Sequence, residues 1–408
     1  MNAFETPATA GTPLEAHRIG SDAEALRIAA QISPAIAAGA SDRDATRTLP
    51  GSEIADLSRS GLLGITVPRE HGGADVSART LAQIAAMLSE ADSSVGQIPQ
   101  THFYSIESFR LVGTAAQRHF FFGEVLAGRR FGSAIAERGT RTSSAADRNT
   151  RLVRSGSSLH LEGEKAYCTG ALLCDWLAVF ARDDDGYQHL AYVPGDAPGL
   201  ELRDDWTGMG QRTTASGSAI LRDVAVRPEH VLPFQNVFDR PTRLGPYSQL
   251  YHTAIQLGIA RAALSDLKQY VRERARPWID SGAERASDDI LLLRDAGALQ
   301  VDLHAVEELL WIAADHVDGI RDSVEPQALA DASIAVAQAK VLATELALSA
   351  SSKLLELSGA QATLAQYNLD RHWRNARTHT VHDPVRWKFA TIGNYRLNGV
   401  LPPRRGYI

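Results

Sequence analysis

The sequence predicts a mostly helical protein with a single β region set between two helical ones. Three observations carry this. Apolar residues recur at helical spacing up to about residue 130. That spacing vanishes between about 131 and 238, and it returns in long seams up to about 395. A β region between two helical ones is less common than βα alternation, so the order itself is informative.

Residues 1–20 are rich in Ala, Thr, Pro and Glu and read as a mobile arm. They lack a charged stretch followed by an apolar one, so no signal peptide is expected. Residues 21–130 read as a helical domain. Ala25, Ile28, Ile32 and Ile36 fall on one helical face, and 42–48 reads as a polar break. Residues 53–63 are a further helical piece, stopped by Gly61 and Gly64. After a turn cluster at 67–73, helical patterning resumes over 77–90 and 103–127.

Residues 131–238 carry short apolar runs at 176–180, 189–193 and 218–226, separated by Gly, Asp and Pro. That spacing predicts a small sheet or barrel. Residues 239–408 are helical again, followed by a tail. Leu292, Ala296, Leu299, Leu303, Val306, Leu310, Ala313, Val317 and Ile320 recur at intervals of four and three, the seam of a helix bundle. Residues 327–357 read as a second long helix and 251–272 as a third. A β region capping such a bundle leaves a cleft at the junction, where cofactor sites often lie.

The chain has 408 residues, 44% hydrophobic, enough to bury a large core. A net charge of −6 argues against general affinity for nucleic acid or an anionic membrane. No apolar run approaches bilayer length. Cys168 and Cys174 have no partners at metal-site spacing, which argues against a disulfide framework or structural zinc and fits a reducing, cytoplasmic compartment. No Gly-x-Gly-x-x-Gly opens a βαβ unit, and no Walker lysine or Gly-x-Ser-x-Gly elbow occurs. His379 and His382 would share a helix face beside Asp383, with His372 the nearest third ligand. That spacing matches no metal motif, and no metal is expected.

Several segments, in order, carry a resemblance. Val67-Pro68-Arg69-Glu70-His71-Gly72-Gly73 resembles the Pro-Glu-x-x-Gly-Gly turn of acyl-CoA dehydrogenases. Gly163-Glu164-Lys165-Ala166-Tyr167-Cys168-Thr169-Gly170 resembles that family's strand beside the flavin. Leu257-Gly258-Ile259-Ala260-Arg261 is similar to its first C-terminal helix, and Arg374-Asn375-Ala376-Arg377 to its Arg-Asp-Ala-Arg motif. Trp206-Thr207-Gly208-Met209-Gly210-Gln211-Arg212 and His379-Thr380-Val381-His382-Asp383-Pro384 resemble the dibenzothiophene monooxygenase branch. Gln97-Ile98-Pro99-Gln100-Thr101-His102-Phe103 and the tail 398–405 resemble bacterial sulfur acquisition oxidoreductases.

The resemblance implies an acyl-CoA dehydrogenase-like fold: an N-terminal helical domain, a middle β-barrel and a C-terminal four-helix bundle, assembled as a homotetramer. It implies a two-component monooxygenase. A separate NAD(P)H-flavin reductase supplies reduced FMN, with FAD as the alternative. Molecular oxygen is the co-substrate, and the other substrate is a small organosulfur molecule used in sulfur acquisition. Reduced flavin and oxygen form a C4a-hydroperoxide, which survives only where water is excluded and the peroxide is hydrogen-bonded. Two alternatives stand beside this: an FAD-dependent acyl-CoA dehydrogenase with Asp383 as base, and a non-catalytic flavin-fold binding protein. Asp383 is one methylene shorter than the family's usual Glu, and Pro384-Val385 replaces Gly-Thr. A base misplaced by about 1 Å costs roughly a hundredfold, which argues against dehydrogenation.

On the same resemblance Thr169 places a hydroxyl beside flavin N5, and His382 donates to the peroxide or substrate with His379 in support. Asp383 orients His or binds the flavin edge. Trp206 walls the flavin, and Arg274 and Arg276 reach its phosphate across a subunit interface. Gly359 lets phosphate or ribityl approach the backbone. Ala136 and Glu137 meet the pyrimidine edge through backbone groups. Gln97, Thr101 and His102 face the substrate. Gln97 and Thr101 replace the His and Tyr of dibenzothiophene monooxygenase, so the pocket differs and a bulky aromatic heterocycle is disfavoured.

Overall fold

The computed structural model describes residues 16–140, 147–322 and 324–406. The N-terminal region comprises α1 (Asp22–Ala38), α2 (Ala40–Thr46), α3 (Gly51–Arg59), α4 (Ala78–Ala91), α5 (Ser93–Gln97), α6 (Gln100–Val112) and α7 (Ala115–Leu126). Their starts follow from side chains that accept from free helix N–H groups. Ser21, Ser77 and Asp92 cap α1, α4 and α5, and Thr114 and Gln117 form a reciprocal capping box on α7. Residues 1–15 of the expected arm lie outside the described residues. The rest of it is fastened: His17 N–H donates to the Arg59 carbonyl at 3.0 Å, and Ile19 is buried.

The middle region is a sheet of β1 (Phe131–Ala134), β2 (Arg151–Ser155), β3 (Ser158–Lys165), β4 (Trp176–Arg182), β5 (Gln188–Pro194), β6 (Leu200–Arg203), β7 (Ser218–Val226) and β8 (Val231–Leu232). The order is β6-β7-β3-β2-β4-β5-β8, with β1 parallel to β4. β4 shows why its sequence is almost wholly apolar. Trp176, Ala178 and Phe180 enter the main core with Phe109 and Phe121, while Leu177, Val179 and Ala181 enter the sheet's own core with Leu161 and Leu221. Alternate residues face opposite sides of a strand, and here both sides are covered.

The C-terminal region comprises α8 (Asn236–Asp239), α9 (Leu244–Glu273), α10 (Ile290–Gly319), α11 (Pro326–Ser358), α12 (Asp370–Thr380) and α13 (Arg386–Asn398). α9, α10 and α11 pack together, α12 closes the bundle against α9 and α11, and α4 lies along α9. The predicted α10 seam is buried from Leu299 to Val317. α9 starts at Leu244 rather than near 251. Pro246 obscured this, yet a first-turn proline gives up only an N–H with no intrahelical partner. Gly258 permits the α4–α9 crossing, because a Cβ there would lie 2.5 Å from the Ala86 carbonyl oxygen. An 18-residue window of α11 reaches a mean hydropathy of 1.2, more than the sequence reading allowed, but 67% of it is buried.

Candidate active site

Two walls meet where the sheet abuts the bundle. The first follows β3. Beyond Lys165 the chain turns sharply, with positive φ at Tyr167 (57°) and Gly170 (73°). Thr169 Oγ1 lies 2.8 Å from Ser216 Oγ, which lies 2.7 Å from Thr214 Oγ1. Thr214 donates to the Gln211 carbonyl at 2.9 Å. Because Thr214 donates at that end, Ser216 donates to Thr214 and Thr169 donates to Ser216. Each hydroxyl carries one proton, so Thr169 is left offering lone pairs. Gln211 and Ala215 also hold positive φ, both 51°. Such backbone costs about 1 kcal/mol or more per non-glycine residue and persists only where its surroundings impose it.

Trp206 belongs to this wall. Its indole N–H donates to the Gln211 carbonyl at 2.8 Å, and the half-exposed Tyr167 ring meets it edge-on at 6.1 Å.

The second wall is the turn between α12 and α13. The Arg374–Arg377 motif fastens it to the first. Gln211 N–H donates to Asn375 Oδ1 at 2.6 Å and Gly210 N–H to Thr378 Oγ1 at 3.1 Å. A Cβ on Gly210 would lie 2.0 Å from the Arg374 carbonyl oxygen, so only glycine fits. Arg374 itself pairs with Asp44 and Asp370. The α5–α6 junction closes the side: a Cβ on Gly170 would touch Ile98 at 3.2 Å. Gln100 Nε2 donates to Ser248 at 3.0 Å, and the Tyr251 hydroxyl donates to the Gly96 carbonyl at 2.9 Å.

Within the second wall His379 is buried and His382 is 42% exposed at its side chain. A third histidine, His252 of α9, lies between them. Its Nδ1 is 3.3 Å from His379 Nε2, and its ring centroid is 4.4 Å from that of His382. His379 Nδ1 is buried without a hydrogen-bond partner. Burial and the Lys340 and His382 charges hold the His252 and His379 pKa values well below the usual imidazole range, so both rings are neutral at pH 7.

Asp383 is buried between two ammonium groups. Lys340 Nζ pairs with its Oδ1, and Lys388 Nζ with Oδ2 at 2.8 Å. Lys340 also donates to Gln249 Oε1 at 2.6 Å. Burial pushes the Asp383 carboxyl up, but Lys340, His382 and Lys388 outweigh it and hold the group well below the carboxylate range. Burial brings Lys340 down to about 8 despite Asp383. Both carboxylate oxygens are engaged, which argues against the alternative in which Asp383 is a base, while its Oδ1, 3.9 Å from His382 Nδ1, fits the expected orientation of a His ring. Asp383 is the counter-ion that pins the turn, and a carboxylate held so firmly ionised is a poor base.

The structure groups His379, His382 and Asp383 around one turn and ties the loop that carries Trp206 and bonds Thr169 to the helix before it, through Gly210 and Gln211. Gln97 is buried with Oε1 unpartnered, and Thr101 donates to Gln100 at 3.3 Å. His102 is not available to a substrate. Its Nε2 lies 2.8 Å from the Leu63 carbonyl, and Nδ1 accepts from Phe131 N–H at 3.3 Å. Burial lowers its pKa to about 4, so it is a neutral clamp. The Glu137 carboxylate is likewise engaged, with Lys165 at 2.6 Å and Thr150 at 2.8 Å. The Ala136 carbonyl accepts from Ala166 N–H at 3.0 Å.

Arg274 and Arg276 stand exposed past the end of α9. Twenty-two helical residues separate Arg274 from His252, about 33 Å at 1.5 Å per residue, so neither arginine joins this site within one chain. Gly359 caps α11 at φ 82° and faces open space. His372, the suggested third metal ligand, is bound to Asp266 at 2.7 Å.

Sequence reasoning missed His252, Gln249, Lys340 and Lys388. A signal was present: Lys340 is a charged residue inside an Ala-rich apolar helix, where an unpaired charge is not tolerated.

A helical domain, a central sheet and a helical bundle are joined where the 206–216 loop meets α12. Sequence models of the acyl-CoA dehydrogenase N-terminal, middle and C-terminal domains match residues 26–129, 132–224 and 250–387. The chain belongs to the acyl-CoA dehydrogenase family. It is 31% identical to dibenzothiophene monooxygenase of Rhodococcus erythropolis, over 94% of this chain and 96% of that one. It is also 31% identical to the probable FMNH2-dependent monooxygenase SfnC of Pseudomonas putida, over 93% and 96%. FMN-bound TdsC from Paenibacillus sp. A11-2 superposes with a TM-score of 0.89 at 31% identity, covering 94% of this chain and all of that one. These full-length relatives set it in the flavin-dependent monooxygenase branch.

Proposed function

We propose that the protein uses reduced FMN and molecular oxygen to insert one oxygen atom into a small organosulfur compound in sulfur acquisition. The single observation that carries this is a set of buried, unpartnered polar atoms on both walls: Gln97 Oε1, the Gln211 side-chain amide and His379 Nδ1. Such atoms each cost about 1–3 kcal/mol unless a bound molecule satisfies them. A flavin and a polar substrate bound between the walls would satisfy them.

Bound reduced FMN supplies the electrons that activate oxygen. The chain's own groups do the rest. Thr169, its proton committed to Ser216, offers lone pairs suited to the N–H of a reduced ring. Trp206 and Tyr167 flank that loop. His379 and His382 handle protons. Lys340 and Lys388 outnumber Asp383, leaving excess positive charge that favours an anionic ring or substrate. Gln97 and Thr101 favour a small polar sulfur compound over an aromatic heterocycle.

We extend the reading to a homotetramer in the cytoplasm, served by a separate NAD(P)H-flavin reductase. Trp278, Ile279, Ile290, Leu291, Trp387 and Phe389 are exposed apolar residues that subunit contacts would cover. Arg274, Arg276 and Gly359 would then meet flavin phosphate from a neighbouring subunit.

The test is anaerobic loading with reduced FMN, then oxygen with small sulfinates, sulfones or dibenzothiophene, scoring oxygenated product against hydrogen peroxide. Product from a small compound is expected. Hydrogen peroxide alone from every sulfur compound, or bleaching of bound oxidised flavin by acyl-CoA, would overturn the reading.

A further inference from the structure

We propose that His252 is a positioning residue for His379: the two rings share one hydrogen bond, and His252 decides which His379 nitrogen carries the proton. His252 sits on α9, His379 on α12, and both are at most 4% exposed. Their facing nitrogens are 3.3 Å apart, and the ring planes are inclined by 41°. Both rings are neutral, so each has one N–H and one lone pair, and a contact between them needs one of each. If His252 Nδ1 donates, His379 carries its proton on the unpartnered Nδ1 and offers a donor to a bound molecule. If His379 donates, that same Nδ1 is an acceptor. The free end of His379 is therefore decided at its other end.

The setting makes this pairing matter. Lys340 and Lys388 stand close by, with Asp383 between them and His382 on the exposed side. Burial first, and then the Lys340 charge, keeps both imidazoles neutral. His252 is the neighbour that bonds to the His379 ring itself. The buried His102 and His372 differ, being bound to a backbone carbonyl and a carboxylate rather than to another imidazole.

The experiment uses the full-length protein with 15N-labelled histidine and long-range proton–nitrogen spectra. It is read without flavin, so its outcome is independent of the proposed monooxygenase reading. His379 is expected in one neutral tautomer. His252→Leu, similar in volume, should let His379 average between tautomers. His252→Asn should restore a single tautomer, because the Asn amide occupies the place of imidazole Nδ1. In turnover, His252→Leu should cut product formed per reduced flavin at least about tenfold with little change in KM, and His252→Asn should recover most of it. The proposal is overturned if the His379 nitrogen shifts are the same in wild type and His252→Leu, or if the Leu and Asn variants behave alike. Should His252→Leu not fold, His252→Gln serves: it displaces the amide from the Nδ1 position and must give the averaged spectrum. If wild type gives no oxygenated product while the spectra respond as stated, the function fails and the positioning role stands.

Discussion

Two buried histidines, one between the N-terminal helices and the sheet and one inside the bundle, show how placement separates a fastening from a tool. His102 joins the N-terminal helices to the sheet, and both its ring nitrogens are bonded to backbone. His379 of α12 is bonded to His252 of α9 within the bundle, and one nitrogen is bonded while the other is orphaned. Burial makes both rings neutral. A ring with both nitrogens bonded can only hold structure together; a ring with one nitrogen unbonded can act on a molecule bound beside it.

The sharpest break of this comparison lies just beyond His379. Asp383→Ala leaves Lys340 and Lys388 facing each other in the interior. Breaking such a buried pairing costs about 3–5 kcal/mol, read by urea denaturation, with activity lost as the turn moves. A variant of near-wild-type stability would show that the carboxylate does not hold the turn. Next, His379→Ala should lower product per reduced flavin by roughly a hundredfold in the folded fraction, far beyond the loss of stability from removing its bond to His252. His102→Ala should do the reverse, losing about 1–3 kcal/mol of stability while the folded fraction turns over normally. If the two variants exchange these phenotypes, the comparison is inverted.

A pH series tests the same contrast. His102 has a folded pKa near 4, below the usual 6.5. The unfolded chain therefore binds the proton at higher pH than the folded one. The stabilisation is complete above about pH 6.5 and is lost as pH falls toward 4. His230, also held near 4, and His252 and His379 act in the same direction. Thermal melting should fall through this window, and His102→Gln should flatten the slope. The smallest effect is expected of Thr169→Val, which removes an acceptor and should weaken reduced-FMN binding about tenfold while Thr169→Ser does not. Equal binding by both variants would remove Thr169 from the flavin.

How much was legible follows from where each residue draws its environment. The α10 seam was readable because periodicity is a property of consecutive residues. Thr169, His379 and His382 were found through motifs whose spacing is local. His252 and Lys340 were not, for each looks like one polar residue in an ordinary helix. Their partners lie 127 and 43 positions away. His102 was expected to face the substrate and is instead a clamp, since nothing near it in the chain announces Leu63 or Phe131; the pairing of Asp383 with Lys340 was hidden by 43 intervening positions.

By itself, the sequence determined the order of helical, β and helical regions, the strand turn around Thr169 and the histidine-bearing end of α12. These rest on interactions between near neighbours, which the chain encodes directly. Only the tertiary structure decided which buried polar atoms are satisfied and which are left open. That depends on packing among α4, α9, α11 and α12, where a shift of about 1 Å makes or breaks a hydrogen bond.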